Sequence, residues 1–307
     1  MVQGRIESEP GTVARLRGVS LFWSQWMPQF YNAAAVRWLR DDWRVDVVRA
    51  AMGVHRGGYL EHPRREAAKV RTVIEAAIDC GLYVIVDWHA HLQARQHACR
   101  FFAHIARDYA RYPNVIYETW NEPDSRYDWA RTIKPYHERV IASIREHDER
   151  NLVIAGTPHW SHRVDLAAAD PLSLPNVAYS LHFYAGSNAH SLRTVATVAR
   201  RRGVALMVTE WGTCRADATG PVDEEECRRW FDFLEQEQLG YVNWSIADKA
   251  ETAAALKKSA SPSGGWTEDE LTESGRFVRN HLIAMSRRPQ PPPFTRSMAC
   301  ANASGDP

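Results

Sequence analysis

Eight short apolar runs, each followed by a longer stretch with helical spacing, constrain this chain more than any other feature. The runs are RLRGVSLFW, VDVVRAAM, LYVIVDWH, NVIYETWNE, NLVIAGT, NVAYSLHFY, VALMVTEW and GYVNWSIAD. Between and after them lie amphipathic segments such as RREAAKVRTVIEAAIDCG, ended by Gly81, and VDEEECRRWFDFLEQEQLG, opened by acids and ended by Gly240; the last is TEDELTESGRFVRNHLIAM. Acids at a helix start suit its dipole, and a glycine at its end permits the left-handed turn back into a strand. The alternation is that of repeated β/α units. Because the runs are continuously apolar, each strand is expected to be buried on both faces, as in a parallel sheet wrapped by helices. The fold class predicted is α/β, a closed (β/α)8 TIM barrel forming a single domain. An open doubly wound sheet is the competitor, but no GxGxxG or P-loop follows any run.

The barrel domain is assigned to residues 1–285. Residues up to about Ala14 read as a cover for its N-terminal end. The stretch SRRPQPPPFTRSMACANASGDP over 286–307 reads as a Pro-rich, flexible tail. A formal net charge of +1 offers no field for nucleic acid or an anionic membrane. No apolar run reaches the ~18 residues of a membrane span, and the first residues lack the apolar core of a secretory leader. Cys80, Cys99, Cys214, Cys227 and Cys300 are odd in number and lack CxxC spacing, which argues against a disulfide framework or a zinc knuckle.

In such barrels the chemistry gathers where the strands end on their C-terminal side. Read that way, the strand ends offer Trp26, Arg49, Trp88, His89, Asn121, Glu122, Trp160, His182, Tyr184, Glu210, Trp211, Trp244 and Asp248. Glu122 and Glu210 close two apolar runs, so each carboxylate is expected at the rim of a low-dielectric core, where burial raises a pKa and cations lower it. Two acids in different surroundings form an acid/base pair of the kind that cleaves an acetal, with retention if about 5–5.5 Å apart and inversion if about 6.5–9.5 Å. Twelve Trp and eleven Tyr supply flat rings for an uncharged, sugar-like ligand.

The motifs RGVSLFWSQW, VVRAAMG with GGYL, VIVDWH, VIYETWNEP, GTPHWS, YSLHFYAG, VTEWGT, NWSIADKAET and SGGWTEDELTESGRFV occur in this order from about Arg17 to His281. This series resembles glycoside hydrolase family 5, especially its subfamily 2 endo-β-1,4-glucanases. The resemblance implies that Glu122 is the general acid/base and Glu210 the nucleophile. It implies that Asn121 bonds the sugar 2-hydroxyl, Arg49 and Tyr184 hold Glu210 ionised, and His89 and His182 line the same subsite. Trp26 and Trp244 would be glycone platforms, Trp160 an aglycone platform, and Lys249 with Glu251 a pair bonding the second sugar. The substrate implied is a β-1,4-glucan polysaccharide or cello-oligosaccharide, with no cofactor and no metal. A polymeric substrate leads us to expect secretion, although no leader is visible, and a monomer is expected. The loop AHLQARQHACR is shorter than in many relatives, and Phe22 stands where some have His.

Three rival readings follow from the residues. The barrel could prefer mannan, xyloglucan or mixed-linkage glucan. His89 and His91 form a His-x-His pair that could ligate a metal in a metal-dependent hydrolase. The chain could also bind glycans without cleaving them. His91, His97 and His104 are expected on a solvated loop and helix, and Trp38, Trp43, Trp129 and Trp230 as filler.

Overall fold

The computed structural model describes residues 4–9 and 11–286. Among these, eight parallel strands close into a barrel in chain order. They are β1 (Arg17–Leu21), β2 (Val47–Gly53), β3 (Tyr83–His89), β4 (Val115–Glu118), β5 (Val153–Ala155), β6 (Val177–Tyr184), β7 (Leu206–Gly212) and β8 (Tyr241–Ile246). The helices between and after them are α1 (Ala33–Asp41), α2 (Pro63–Cys80), α3 (Arg95–Tyr109), α4 (Lys134–Arg145), α5 (Val164–Ala169), α6 (His190–Arg201), α7 (Glu224–Gln236) and α8 (Glu273–Ser286). All eight apolar runs became barrel strands, each buried on both faces.

Successive strand side chains alternate between the helix layer and the barrel lumen, so the lumen is built in tiers two residues apart. The floor is apolar: Leu16, Val47, Ile85, Ile116, Ile154, Ala178, Met207 and Val242 form one cluster. Above this floor the tier turns polar, with Ser20, Arg49, Asp87, Glu118, Ser180 and Thr209, all buried. The charges therefore sit on a dry floor that excludes water from below. A short hairpin of Glu7–Glu9 and Thr12–Val13 precedes the barrel. Ile6 packs on the floor cluster beside Ala14, so this segment covers part of the N-terminal end.

Register irregularities re-aim side chains. Between β6 and β7, Ser180 pairs with Met207 but His182 pairs with Glu210, so β7 carries one extra residue. That bulge turns both Thr209 and Glu210 into the lumen although they are adjacent, and sends Trp211 outward against Phe183 and Phe231. Close approach of β1 and β2 needs Gly18, where a Cβ would lie 1.8 Å from the Val47 carbonyl oxygen.

Two terminus assignments are corrected. Gly81 caps α2 in the left-handed region as expected (φ 71°), but α7 stops at Gln236 and the left-handed residue is Gln238 (φ 57°). Gly240 serves packing instead, since a Cβ there would meet the Leu16 carbonyl oxygen at 2.8 Å. The TEDEL segment is not part of the last helix: Glu268–Glu270 forms a 3-10 turn with a Thr267–Glu270 capping box, and the helix starts at Glu273. Among the described residues, Cys80, Cys99, Cys214 and Cys227 are free, and no helix is long and apolar enough to cross a membrane. The expected tail beyond Ser286, with Cys300, lies outside the described residues.

Candidate active site

The polar tier is organised by one guanidinium. Arg49 donates through Nε to Glu118 (2.7 Å) and through Nη1 to Glu210 (3.1 Å). Its Nη2 donates to the Asn121 Oδ1 (2.6 Å) and lies 2.9 Å from Asp87. Burial opposes its charge, but the three carboxylates outweigh burial and hold it firmly protonated. Tyr184 donates its hydroxyl to the other Glu210 oxygen (2.8 Å). Gly212, opposite it, leaves room for that ring: a Cβ there would meet Tyr184 Cδ1 at 2.2 Å.

Glu122 follows β4 and faces Glu210. One oxygen of each, with a His182 nitrogen, all lie within 4.8 Å of one another. Glu122 Oε1 is 2.8 Å from His182 Nδ1, and His182 Nε2 is 2.9 Å from the Thr209 hydroxyl. Thr209 in turn donates to Glu118 (2.6 Å) and contacts the Ser180 hydroxyl. Burial works against a charged His182, yet Glu210, Glu118 and Glu122 raise it to about 9. Burial likewise opposes ionisation of Glu122, but hydrogen bonds from His182 and His91 hold its carboxyl well below the usual range. Glu210 moves the other way: burial and then the Glu122 charge lift it, against His182, Arg49 and Tyr184.

His89 is buried, with Nδ1 2.6 Å from Asp87. Burial, then the Arg49 charge, push its pKa well down, so it stays neutral. Trp244 stacks on it with ring centroids 4.9 Å apart and is only 5% exposed, so little more than an edge of the indole is open to solvent. Trp26 and Trp160 are instead 48% and 41% exposed. Trp160 sits in a turn where His159, Trp160 and Ser161 are all left-handed (φ 56°, 57° and 58°). The turn is tied to the end of β4: the Ser161 hydroxyl donates to the Asn121 carbonyl (2.9 Å) and the Trp160 amide to the Pro123 carbonyl (3.0 Å). Lys249 and Glu251 pair at 2.5 Å on the rim after β8.

Several expectations are revised. Trp88 and Trp211 are fully buried and point outward to the helices, not into the mouth. His91 is not on a purely solvated loop: its Nε2 is 3.1 Å from Glu122 Oε2, while its side chain remains 45% exposed. The potential ligands that come together among the described residues are Glu122, His182 and Glu210, a group that does not include His89 or His91. Those three are already engaged with one another, Arg49, Tyr184 and Thr209. Sequence reasoning overlooked Asp87, Glu118, Ser180, Thr209 and Trp23, whose ring lies between Trp26 and the two histidines. A charged residue at matching height in VVRAAM, VIVDWH and VIYETW was the available signal.

Fold and site together define the class: a (β/α)8 barrel with a close carboxylate pair at its C-terminal mouth. The chain belongs to the cellulase family, glycosyl hydrolase family 5, whose family model matches residues 7–250. It is 41% identical over 277 residues to an endoglucanase of Clostridium saccharobutylicum, covering 89% of this chain and 62% of that one. It is 45% identical over 278 residues to endoglucanase A of Evansella cellulosilytica, covering 89% of this chain and 57% of that one. The chain thus spans less than two thirds of the length of these curated relatives. A solved structure from Cytophaga hutchinsonii matches with a TM-score of 0.90 at 48% identity, over 91% of this chain and 92% of that one. The catalytic domain of Thermobifida fusca endoglucanase Cel5A, solved in complex with cellotetraose, matches with a TM-score of 0.87 at 30% identity, over 92% and 96%.

Proposed function

We propose that this chain is a retaining endo-β-1,4-glucanase in which Glu122 is the general acid/base and Glu210 the nucleophile. The observation that carries the reading is the approach of a Glu122 and a Glu210 oxygen to within 4.8 Å, which suits direct attack of one carboxylate on an anomeric carbon and lies nearer the separation of retaining pairs than the wider one of inverting pairs. Glu210 would displace the leaving sugar while Glu122 protonates its oxygen, and water activated by Glu122 would then release the glycosyl-enzyme.

In the free site the proton balance favours the opposite roles, because Glu122 is held ionised and its charge lifts Glu210. The coupling itself resolves this. Once Glu122 takes a proton, the negative charge that raised Glu210 disappears, and Arg49 and Tyr184 then favour the Glu210 anion. Asn121 supports a sugar contact: its Oδ1 is tied to Arg49, while its buried Nδ2 has no partner within the protein. That donor would meet the 2-hydroxyl and offset its own desolvation there. Trp26, Trp244 and Trp160 would stack on pyranose faces, with Lys249 and Glu251 bonding a neighbouring sugar. The relatives named endoglucanase favour a glucan over mannan or xyloglucan. A polymeric substrate also argues for an extracellular enzyme.

Glu122→Gln and Glu210→Gln should each lower turnover of cello-oligosaccharides by at least ~100-fold while circular dichroism stays unchanged. NMR of the first products should show the β-anomer. Full activity in either variant, or initial α-product, overturns the reading. Activity lost on chelation would revive the metal-dependent alternative.

A further inference from the structure

Glu122 lies between two imidazoles of unlike character. His182 is fully buried and is locked on its other side to Thr209. His91 reaches the second carboxylate oxygen from the solvent side, at 3.1 Å. His91 meets the edge of the Trp23 ring, with centroids 5.7 Å apart, which fixes its plane without burying it. The charged groups facing it are Glu122 and Asp124 from the segment after β4 and Glu210 from β7; His89 on its own strand is held neutral. The hydrogen bond to Glu122 raises His91 above its ordinary pKa, more than burial lowers it.

We propose that His91 is a positioning residue that shares one proton with Glu122, storing it between turnovers and supplying it when the leaving oxygen needs it. The proposal rests on Glu122 being the acid/base. The free enzyme carries the pair as His91 imidazolium and Glu122 carboxylate. As the glycosidic oxygen approaches, the proton crosses to Glu122 and passes to that oxygen. The C–O bond breaks with its electron pair on the leaving oxygen, and a Glu210 oxygen bonds to the anomeric carbon. The pair is now neutral His91 and ionised Glu122, the state a general base requires. Water then attacks the anomeric carbon, the bond to Glu210 breaks, and the proton released by water passes through Glu122 back to His91. One proton leaves the pair and one returns, so no further reactant is needed.

The sign of the pH effect follows. The alkaline limb of kcat/KM marks loss of the shared proton from the pair, and that proton rests on His91 with its raised pKa. Without His91 the proton must be held by Glu122 alone beside charged His182, so the limb moves toward acid.

The test compares the parent with His91→Leu and His91→Gln on two substrates: cellotetraose, whose leaving sugar must be protonated, and 2,4-dinitrophenyl β-cellobioside, whose phenolate leaves without help. Both variants should lose about 10-fold in kcat/KM on cellotetraose, a fraction of what a general acid contributes. Both should move the alkaline limb toward acid by about one pH unit and leave the dinitrophenyl substrate nearly unchanged. Equal losses on both substrates with an unmoved profile would reduce His91 to packing and overturn the proposal. So would a parent-like profile in His91→Gln, which keeps a hydrogen bond but carries no titratable proton. Glu122→Gln, run alongside, should show the same leaving-group contrast more strongly. If it instead slows both substrates alike, the acid/base assignment fails, and the His91 proposal falls with it.

Discussion

Replacing Arg49 with methionine keeps an unbranched stem and removes the guanidinium charge that three buried carboxylates share. Arg49 lies within 3.1 Å of Asp87, Glu118 and Glu210, and both Asp87 and Glu118 are wholly buried. Removing one partner of a buried ion pair costs about 3–5 kcal/mol. Three stranded carboxylates would exceed that, but they escape by taking up protons, each pKa unit being worth about 1.4 kcal/mol. We therefore expect a loss of about 4 kcal/mol at neutral pH, a large share of the roughly 5–15 kcal/mol typical of folded proteins. In the variant the carboxylates have folded pKa values above their unfolded ones, so the folded state binds protons that the unfolded chain has released. Its stability then falls as pH rises above about 4, and the deficit is smallest in acid. Urea unfolding of parent and variant, at about pH 5 and about pH 8, measures this difference directly. A deficit below about 1 kcal/mol at both values, or one that grows toward acid, would refute the idea that Arg49 neutralises this tier.

Thr209→Val cuts the hydroxyl bridge between Glu118 and His182, so the His182 pKa, raised to about 9 in the parent, should fall; NMR titration of its ring protons reads this out. Because the parent value lies above the unfolded one, stability from His182 is fully present below about 6.5 and lost as pH rises through about 9. Thermal unfolding across that window should show the decline in the parent and a weaker one in the variant. Trp160→Ala should leave stability within about 0.5 kcal/mol, as the residue is 41% exposed and outside the core, but raise KM for longer cello-oligosaccharides more than for short ones. Gly18→Ala should prevent folding or cost more than about 3 kcal/mol, because its methyl would overlap the Val47 carbonyl between β1 and β2; soluble yield and denaturation midpoint decide.

The barrel was legible because its evidence is periodic: every strand declares itself by an apolar run, and every major helix by its spacing. The positions of Glu122, Glu210, Arg49 and Asn121 followed from the same reading, since a strand end fixes where a side chain can go. The second carboxylate layer was harder to see. Asp87 and Glu118 each interrupt an apolar run once, which reads as noise until the strands are set in register and the interruptions fall at one height beside Arg49. The β7 bulge was invisible for a different reason: strict alternation would have turned either Thr209 or Glu210 away from the lumen, and only pairing with β6 reveals the extra residue. His91 escaped because its role is set by a contact to Glu122, 31 positions along the chain by numbering, with no local pattern to betray it.

On the proposed reading, the left-handed turn at His159–Ser161 has a consequence for where a polymer would be cut. Two hydrogen bonds fasten it to the carbonyls of Asn121 and Pro123, on either side of Glu122. The indole of Trp160 therefore stands at a set offset from the carboxylate, like a stop on a ruler. A glucan laid against that ring would meet Glu122 at a defined linkage, so loosening the fastening should blur the lengths of the fragments released before it slows their release.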